Sequence, residues 1–132
     1  MSPEVIERKL ALIAGYLRDL QPYEGASFEV FMQRHYEVER LLELLLIAAS
    51  DIVFHLISGK KEEPVPSSYR AAFLRAGQAG MLSKELSGNL ARAAGLRNIL
   101  VHEYAEIDYA LLHQSIPSAI RDFSAFIREL SR

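Results

Sequence analysis

Val5, Ile6, Leu10, Ile13 and Leu17 recur at helical spacing behind Ser2 and Pro3, a capping residue followed by the proline that suits a first helical position. The pattern predicts a first helix that stops in "QPYEGAS", residues 21–27, where proline and glycine interrupt it. Ser27 can cap a second helix, which then meets no proline or glycine until Gly59 and is predicted to end near Ser58. At about 1.5 Å per residue such a helix is nearly 50 Å long. Its later part, "LLELLLIAASDIVFHLI" at 41–57, is apolar on almost every side. A helix of that kind needs neighbours all round. A small monomeric bundle rarely supplies them, so a second subunit is expected to cover part of it. The stretch contains Glu43, Asp51 and His55 and falls short of the roughly 18 residues of a bilayer span, so it is predicted to be a buried helix and not a membrane anchor.

"GKKEEPVPSS", 59–68, is a polar loop with prolines. A short helix is predicted in "SYRAAFLRAGQAG", ended by Gly77 and Gly80. Ser83 can cap a helix over about 84–101, and Asp108 a last one over 109–131, with Pro117 kinking it by removing a backbone hydrogen bond. No alternating strand pattern, internal repeat or low-complexity tract is present. The fold predicted is all-α, a five-helix bundle with one long second helix, in a single domain over residues 1–132.

Composition narrows the chemistry. The chain has 132 residues, half of them apolar and 24% charged, a profile of a globular chain with a real core. It has no cysteine, which excludes a disulfide framework, thiolate metal ligands and a cysteine nucleophile. The start, "MSPEVIERKLALIAGYL", lacks the basic, apolar, small-residue order of a signal peptide, and a cytoplasmic location is expected. Net charge is −2, yet residues 67–102 carry Arg70, Arg75, Lys84, Arg92 and Arg97 against Glu85 alone. A locally basic stretch of that kind suits a phosphate-bearing ligand; solvated helix faces explain it equally well.

That stretch runs into "LRNILVHEY", residues 96–104. On a helical wheel centred on Leu90, the apolar stripe holds Leu86, Ala93, Ala94 and Val101, and Arg97 falls about 20° from its centre. A guanidinium directed at a packed surface costs several kcal/mol unless it is paired. His102 lies about 120° from Leu90 and about 140° from Arg97, so Arg97 and His102 share a ligand only if the helix ends near Val101 and the chain turns, or if a second copy borders the cleft. The bland alternative pairs Arg97 with Asp51, taken as a buried acid of the second helix, and lets His102 cap its own helix. Asn98 and Tyr104 would then be surface groups. Elsewhere, His35, His55 and His113 lie on three segments; Asp51 and His55 have i, i+4 spacing, but two ligands are too few for a metal site. No metal or cofactor is expected. His113 is expected at the surface, and Glu37 with Arg40 as an i, i+3 ion pair.

The set Arg97-Asn98-x-x-x-His102-x-Tyr104, ending an apolar helix in an all-α chain of this length, resembles the HEPN superfamily. More narrowly it is similar to the HepT-like toxins, partners of MntA-like minimal nucleotidyltransferase antitoxins. The likeness covers the whole chain: an acid inside a long second helix, a helix through "GLRNILVHEY", and an "EID" entry to the last helix. It implies an up-and-down HEPN bundle acting as a homodimer, the toxin of a type VII-like HEPN/MNT pair. It implies metal-independent endoribonuclease activity on RNA, with Arg97 and His102 catalytic at a dimer cleft and Asn98 and Asp51 in support. It also implies that the partner enzyme silences the toxin by AMPylation of Tyr104. The rival is a non-catalytic helical module that binds nucleotide or RNA and docks a nucleotidyltransferase.

Overall fold

The computed structural model of the chain describes residues 3–58, 64–102 and 107–131, with side chains described as far as residue 96 in the second stretch. Helix α1 spans Pro3–Leu20 and passes through a 3-10 turn, Gln21–Tyr23, to α2, Phe28–Gln33. Then come α3, His35–Ser58, α4, Tyr69–Gln78, α5, Lys84–His102, and α6, Tyr109–Leu130. No strand occurs among the described residues.

The expected five helices are therefore six, because the long second helix is broken at Arg34. There φ is −133° and ψ 24°, and the Arg34 N–H turns back to Phe31 O at 2.9 Å. No breaker residue marks the spot; tertiary contacts set it. The ring of His113, on α6, lies against Phe28 and Phe31 with centroids 5.7 and 5.2 Å away, and its Nε2 meets Ala26 O at 2.7 Å. These contacts draw α2 toward α6 and away from the line of α3. His113 is thus half-buried and engaged, not the surface histidine expected from its place near a helix start.

The predicted caps hold at three helices; the fourth, Ser2, lies outside the described residues. Ser27, Ser83 and Asp108 side chains accept backbone N–H groups of Val30, Leu86 and Leu111 at 3.2, 3.2 and 3.1 Å. Ser68 does the same for Ala71 at 3.0 Å. Each such bond is worth about 1 kcal/mol. Helix α4 ends in a left-handed turn at Gly80, φ +77°, with Met81 N on Ala76 O at 2.9 Å and Gly80 N on Gly77 O at 3.2 Å. Gly77, expected to help end this helix, lies inside it and does something else. A Cβ there would collide with the Ser87 side chain, so glycine lets α4 and α5 touch. The Ser87 hydroxyl donates to Phe73 O at 2.6 Å across that contact.

Among the described residues the α4–α5 contact is the most extensive, followed by α1 on α3 and α3 on α4. Phe31, Phe73, Phe123, Phe126, Ile13 and Leu45 are among the fully buried side chains that weld these pairs into one core. Pro117 lies inside α6 without ending it. Helix α3 is long and apolar enough to cross a membrane by length and composition, although the apolar run alone looked too short. Here 44% of its most apolar window is buried, against α1, α4, α6 and α2. Glu37 and Arg40 do not pair with each other: Arg40 binds Glu43 at 3.0 Å, and Glu37 accepts the Tyr23 hydroxyl at 2.6 Å with Arg34 at 3.8 Å.

Candidate active site around the C-terminal half of α5

Arg97, Asn98 and His102 stand on the last turns of α5, which runs through His102. Their side chains, and Tyr104 altogether, lie outside the described residues. What the structure gives is the ground they stand on. Asn89, Arg92, Ala93 and Leu96 of α5 form one wall of an open cleft of about 390 Å³, completed by α3 and α6. Position 97 lies one turn beyond Ala93, at the border of that wall.

The cleft has an apolar floor, including Leu42, Leu46, Leu96 and Phe123, and a polar edge. Along that edge Asn89 Nδ2 donates to Asp122 Oδ1 at 3.2 Å, and Arg121 Nε donates to the same oxygen at 3.2 Å. Arg92 donates to the Asn89 side-chain oxygen. Asp122 is only 7% exposed and is the most buried acid among the described residues. On the opposite wall Glu39 meets His35 Nδ1 at 2.7 Å, and Glu43 meets Arg40.

Asp51 is not the buried acid it was expected to be. Its side chain is 41% exposed, is ion-paired with Lys9 of α1, and has His55 Nε2 at 3.8 Å. It lines a separate shallow hollow with Lys9, Leu12 and Tyr16. The buried-acid role falls to Asp122, and the sequence carried a signal for it. Asp122 sits between Ala119 and Phe126 at the border of the apolar stripe of α6, where a solvated carboxylate is out of place. Among the described residues no cluster of three or more His, Asp or Glu side chains could hold a metal.

Similarity to known proteins runs the length of the chain. A family model described as Ribonuclease HepT-like matches residues 8–130. The chain belongs to the HepT-like ribonuclease family. It is 33% identical over 134 aligned positions to a tRNA nuclease HepT of Aphanizomenon flos-aquae, covering 99% of this chain and 90% of that one. It is 29% identical to an mRNA nuclease HepT of Shewanella oneidensis, covering 94% of each. A rebuilt structure of a tri-AMPylated Shewanella oneidensis HEPN toxin in complex with MNT antitoxin superimposes with a TM-score of 0.83 at 27% identity, over 99% and 98% of the two chains. A toxin–antitoxin complex with AMP-PNP gives 0.81 at 26% identity, over 98% of this chain and 99% of that one. The all-helical architecture is that of the HEPN toxins, and the family is one of RNA-cutting enzymes.

Proposed function

We propose that this HepT-like ribonuclease is the toxin of a HEPN/MNT toxin–antitoxin pair, an endoribonuclease that cuts RNA without a metal and works as a homodimer in the cytoplasm. The observation that carries the proposal is the extent of the family match: residues 8–130 take in Arg97, Asn98, His102 and Tyr104 together.

Cutting RNA without a metal requires a proton taken from the 2′-hydroxyl and another delivered to the departing 5′-oxygen. An imidazole, with an ordinary pKa near 6.5, can serve either step, worth about 10²–10⁴-fold. His102 supplies one such group per chain, so two chains meeting at a groove supply both. The pentacoordinate phosphorus gathers negative charge, which the planar guanidinium of Arg97 grips through two parallel N–H donors. Asn98 supports the phosphate or the imidazole tautomer. Asp51, held by Lys9 in its own chain, contributes only the local charge around α3.

Tyr104, two residues past the histidine, is the point of control. The partner nucleotidyltransferase joins its phenol oxygen to the α-phosphorus of ATP, and pyrophosphate leaves. The added anion competes with RNA for Arg97 and repels the backbone.

The test is cleavage of RNA by purified, unmodified protein in the presence of a chelator, comparing wild type with His102→Ala. Wild type is expected to cut, and the variant to lose at least a hundredfold. Equal cutting by both, or binding of RNA by a wild type that never cuts it, overturns the enzyme mechanism, and the second result leaves the non-catalytic module. Co-expression with the nucleotidyltransferase should add one or more AMP masses to Tyr104; an unmodified, still silent toxin would remove the switch.

A further inference from the structure

The polar edge formed by Asn89, Arg92, Arg121 and Asp122 takes no part in the chemistry above, yet it is built with care. Asp122 lines the cleft with a side chain only 10% exposed. Its Oδ1 takes both the Asn89 amide and Arg121 Nε, while its Oδ2 has no partner among the described residues. A buried carboxylate oxygen facing an apolar cleft calls for an N–H donor. The apolar floor offers ring-sized contact area. The volume, about 390 Å³, is near the lower end for ligand sites and fits one nucleotide, not a helix.

Charge selects the ligand further. Arg92 and Arg121 are exposed at the edge, and the described partner of Arg92 is the neutral Asn89, which leaves its charge uncancelled. On the facing wall Glu43 is paired with Arg40, while Glu39 is hydrogen-bonded to His35, whose ring offsets its charge only when protonated. The uncancelled positive charge at the edge is therefore on the α5–α6 side, at Arg92, while Arg121 shares its charge with Asp122.

We propose that this cleft seats one unpaired base of the RNA beside the cut. Its ring lies on the leucine floor, its N–H donor meets Asp122 Oδ2, and the flanking phosphates lie on Arg92 and Arg121. The subsite rests on the ribonuclease reading and adds a preference to it. An acceptor oxygen favours the amino groups of adenine, cytosine and guanine. Uracil offers only an N–H flanked by two carbonyl oxygens, which the carboxylate repels.

The decisive variant is Asp122→Asn. Its amide oxygen keeps the bonds from Asn89 and Arg121, while its amide nitrogen turns the open acceptor into a donor. Four short unpaired oligoribonucleotides, differing only in the base beside the cut and blocked at the scissile 2′-hydroxyl, are titrated by fluorescence anisotropy into the full unmodified chain. Wild type should bind the three amino-bearing bases about tenfold more tightly than uracil, and Asp122→Asn should level or reverse that order. Arg92→Gln should weaken all four alike and lower the salt slope by about 0.7. If Asp122→Asn does not fold, Ser118→Leu, placed at the exposed mouth of the cleft, must reduce binding of all four. No base preference in wild type, as when a second copy closes the cleft, overturns the subsite. So does the same base order in a folded Asp122→Asn, or unchanged binding by Ser118→Leu. Cleavage of unblocked RNA, read in parallel, judges the ribonuclease separately: cutting without base preference removes the subsite alone, and base-selective binding without cutting removes the enzyme alone.

Discussion

Between Lys84 and Leu96 one half of the circumference of α5 is packed and the other half borders open space. In the packed half Leu86, Leu90, Ala91 and Ala94 are buried, and Ser87 ties α5 to α4 at Phe73 O. In the open half Asn89, Arg92, Ala93 and Leu96 face a cleft with a leucine floor and an arginine edge. The contrast explains how polar groups survive on a core-directed helix. The packed half fixes the axis of α5, so the open half can hold Arg92 at the rim without having to bury it. Stability and chemistry are assigned to different sides of one helix, and substitutions should separate them.

The largest separation should come from Leu90→Ala. Leu90 is fully buried in the packed half, and truncation there should cost about 2–5 kcal/mol in denaturant unfolding. RNA cleavage per folded molecule should hardly change. A Leu90→Ala protein that stays folded yet loses cleavage would mean the two halves are coupled.

Gly77→Ala sharpens the same point with one methyl group. The new Cβ would collide with Ser87, so the helices must separate or the Ser87 bond to Phe73 O must break. A cost of about 1–3 kcal/mol is expected, read as a fall in melting temperature. Unchanged stability would show that the α4–α5 contact is looser than its geometry implies.

How much of this was legible in the sequence follows the range of each interaction. Ser27, Ser83 and Asp108 were found because a cap bonds to N–H groups only three residues on. The joint at Arg34 was invisible, since a contact between His113 and Ala26 sets it from 87 positions away. Gly77 reads as a helix end by composition and becomes a packing glycine only when Ser87 faces it. The same holds for the candidate site. Arg97, His102 and Tyr104 stood out because polar groups interrupt an apolar stripe, and family likeness gave them roles. Asn89 looks like an ordinary surface residue until α5 and α6 meet, and Asp122, 33 positions away, is marked by its place at the border of an apolar stripe but not by any visible partner. Asp51 erred in the other direction: an acid in an apolar helix looked buried, and Lys9 of α1 lets it stay near solvent.

Ser83→Ala should have a smaller effect and show how the packed half is pinned at its start. The Ser83 hydroxyl caps α5 through Leu86 N, and it also donates to Glu129 Oε2 at 2.9 Å, while the Ser83 backbone N–H donates to Glu129 Oε1 at 2.6 Å. Loss of the side chain removes the cap and one of the two links to α6, for about 1 kcal/mol. Glu129→Gln should cost less than half as much, because the cap survives it. A larger effect from Glu129→Gln than from Ser83→Ala would place the anchor in α6 and not in the cap.

The smallest expected effect lies away from α5, where the Tyr23 hydroxyl braces the first turn of α3 by donating to Glu37 Oε2 at 2.6 Å. That bond raises the Tyr23 pKa above its usual 10.0, with partial burial and the charge of Glu37 adding to the shift against a small opposing pull from Arg34. A raised pKa means the folded chain holds the proton more tightly than the unfolded one. The stabilisation is therefore complete below pH 10, about the unfolded value, and lost as pH rises through the folded value. Because the pair is open to solvent, Tyr23→Phe should cost less than about 1 kcal/mol at neutral pH. Urea unfolding of the two proteins should show that gap closing as pH passes the tyrosine range. A gap that stays constant with pH would assign the difference to ring packing and leave the first turn of α3 braced by apolar contacts alone.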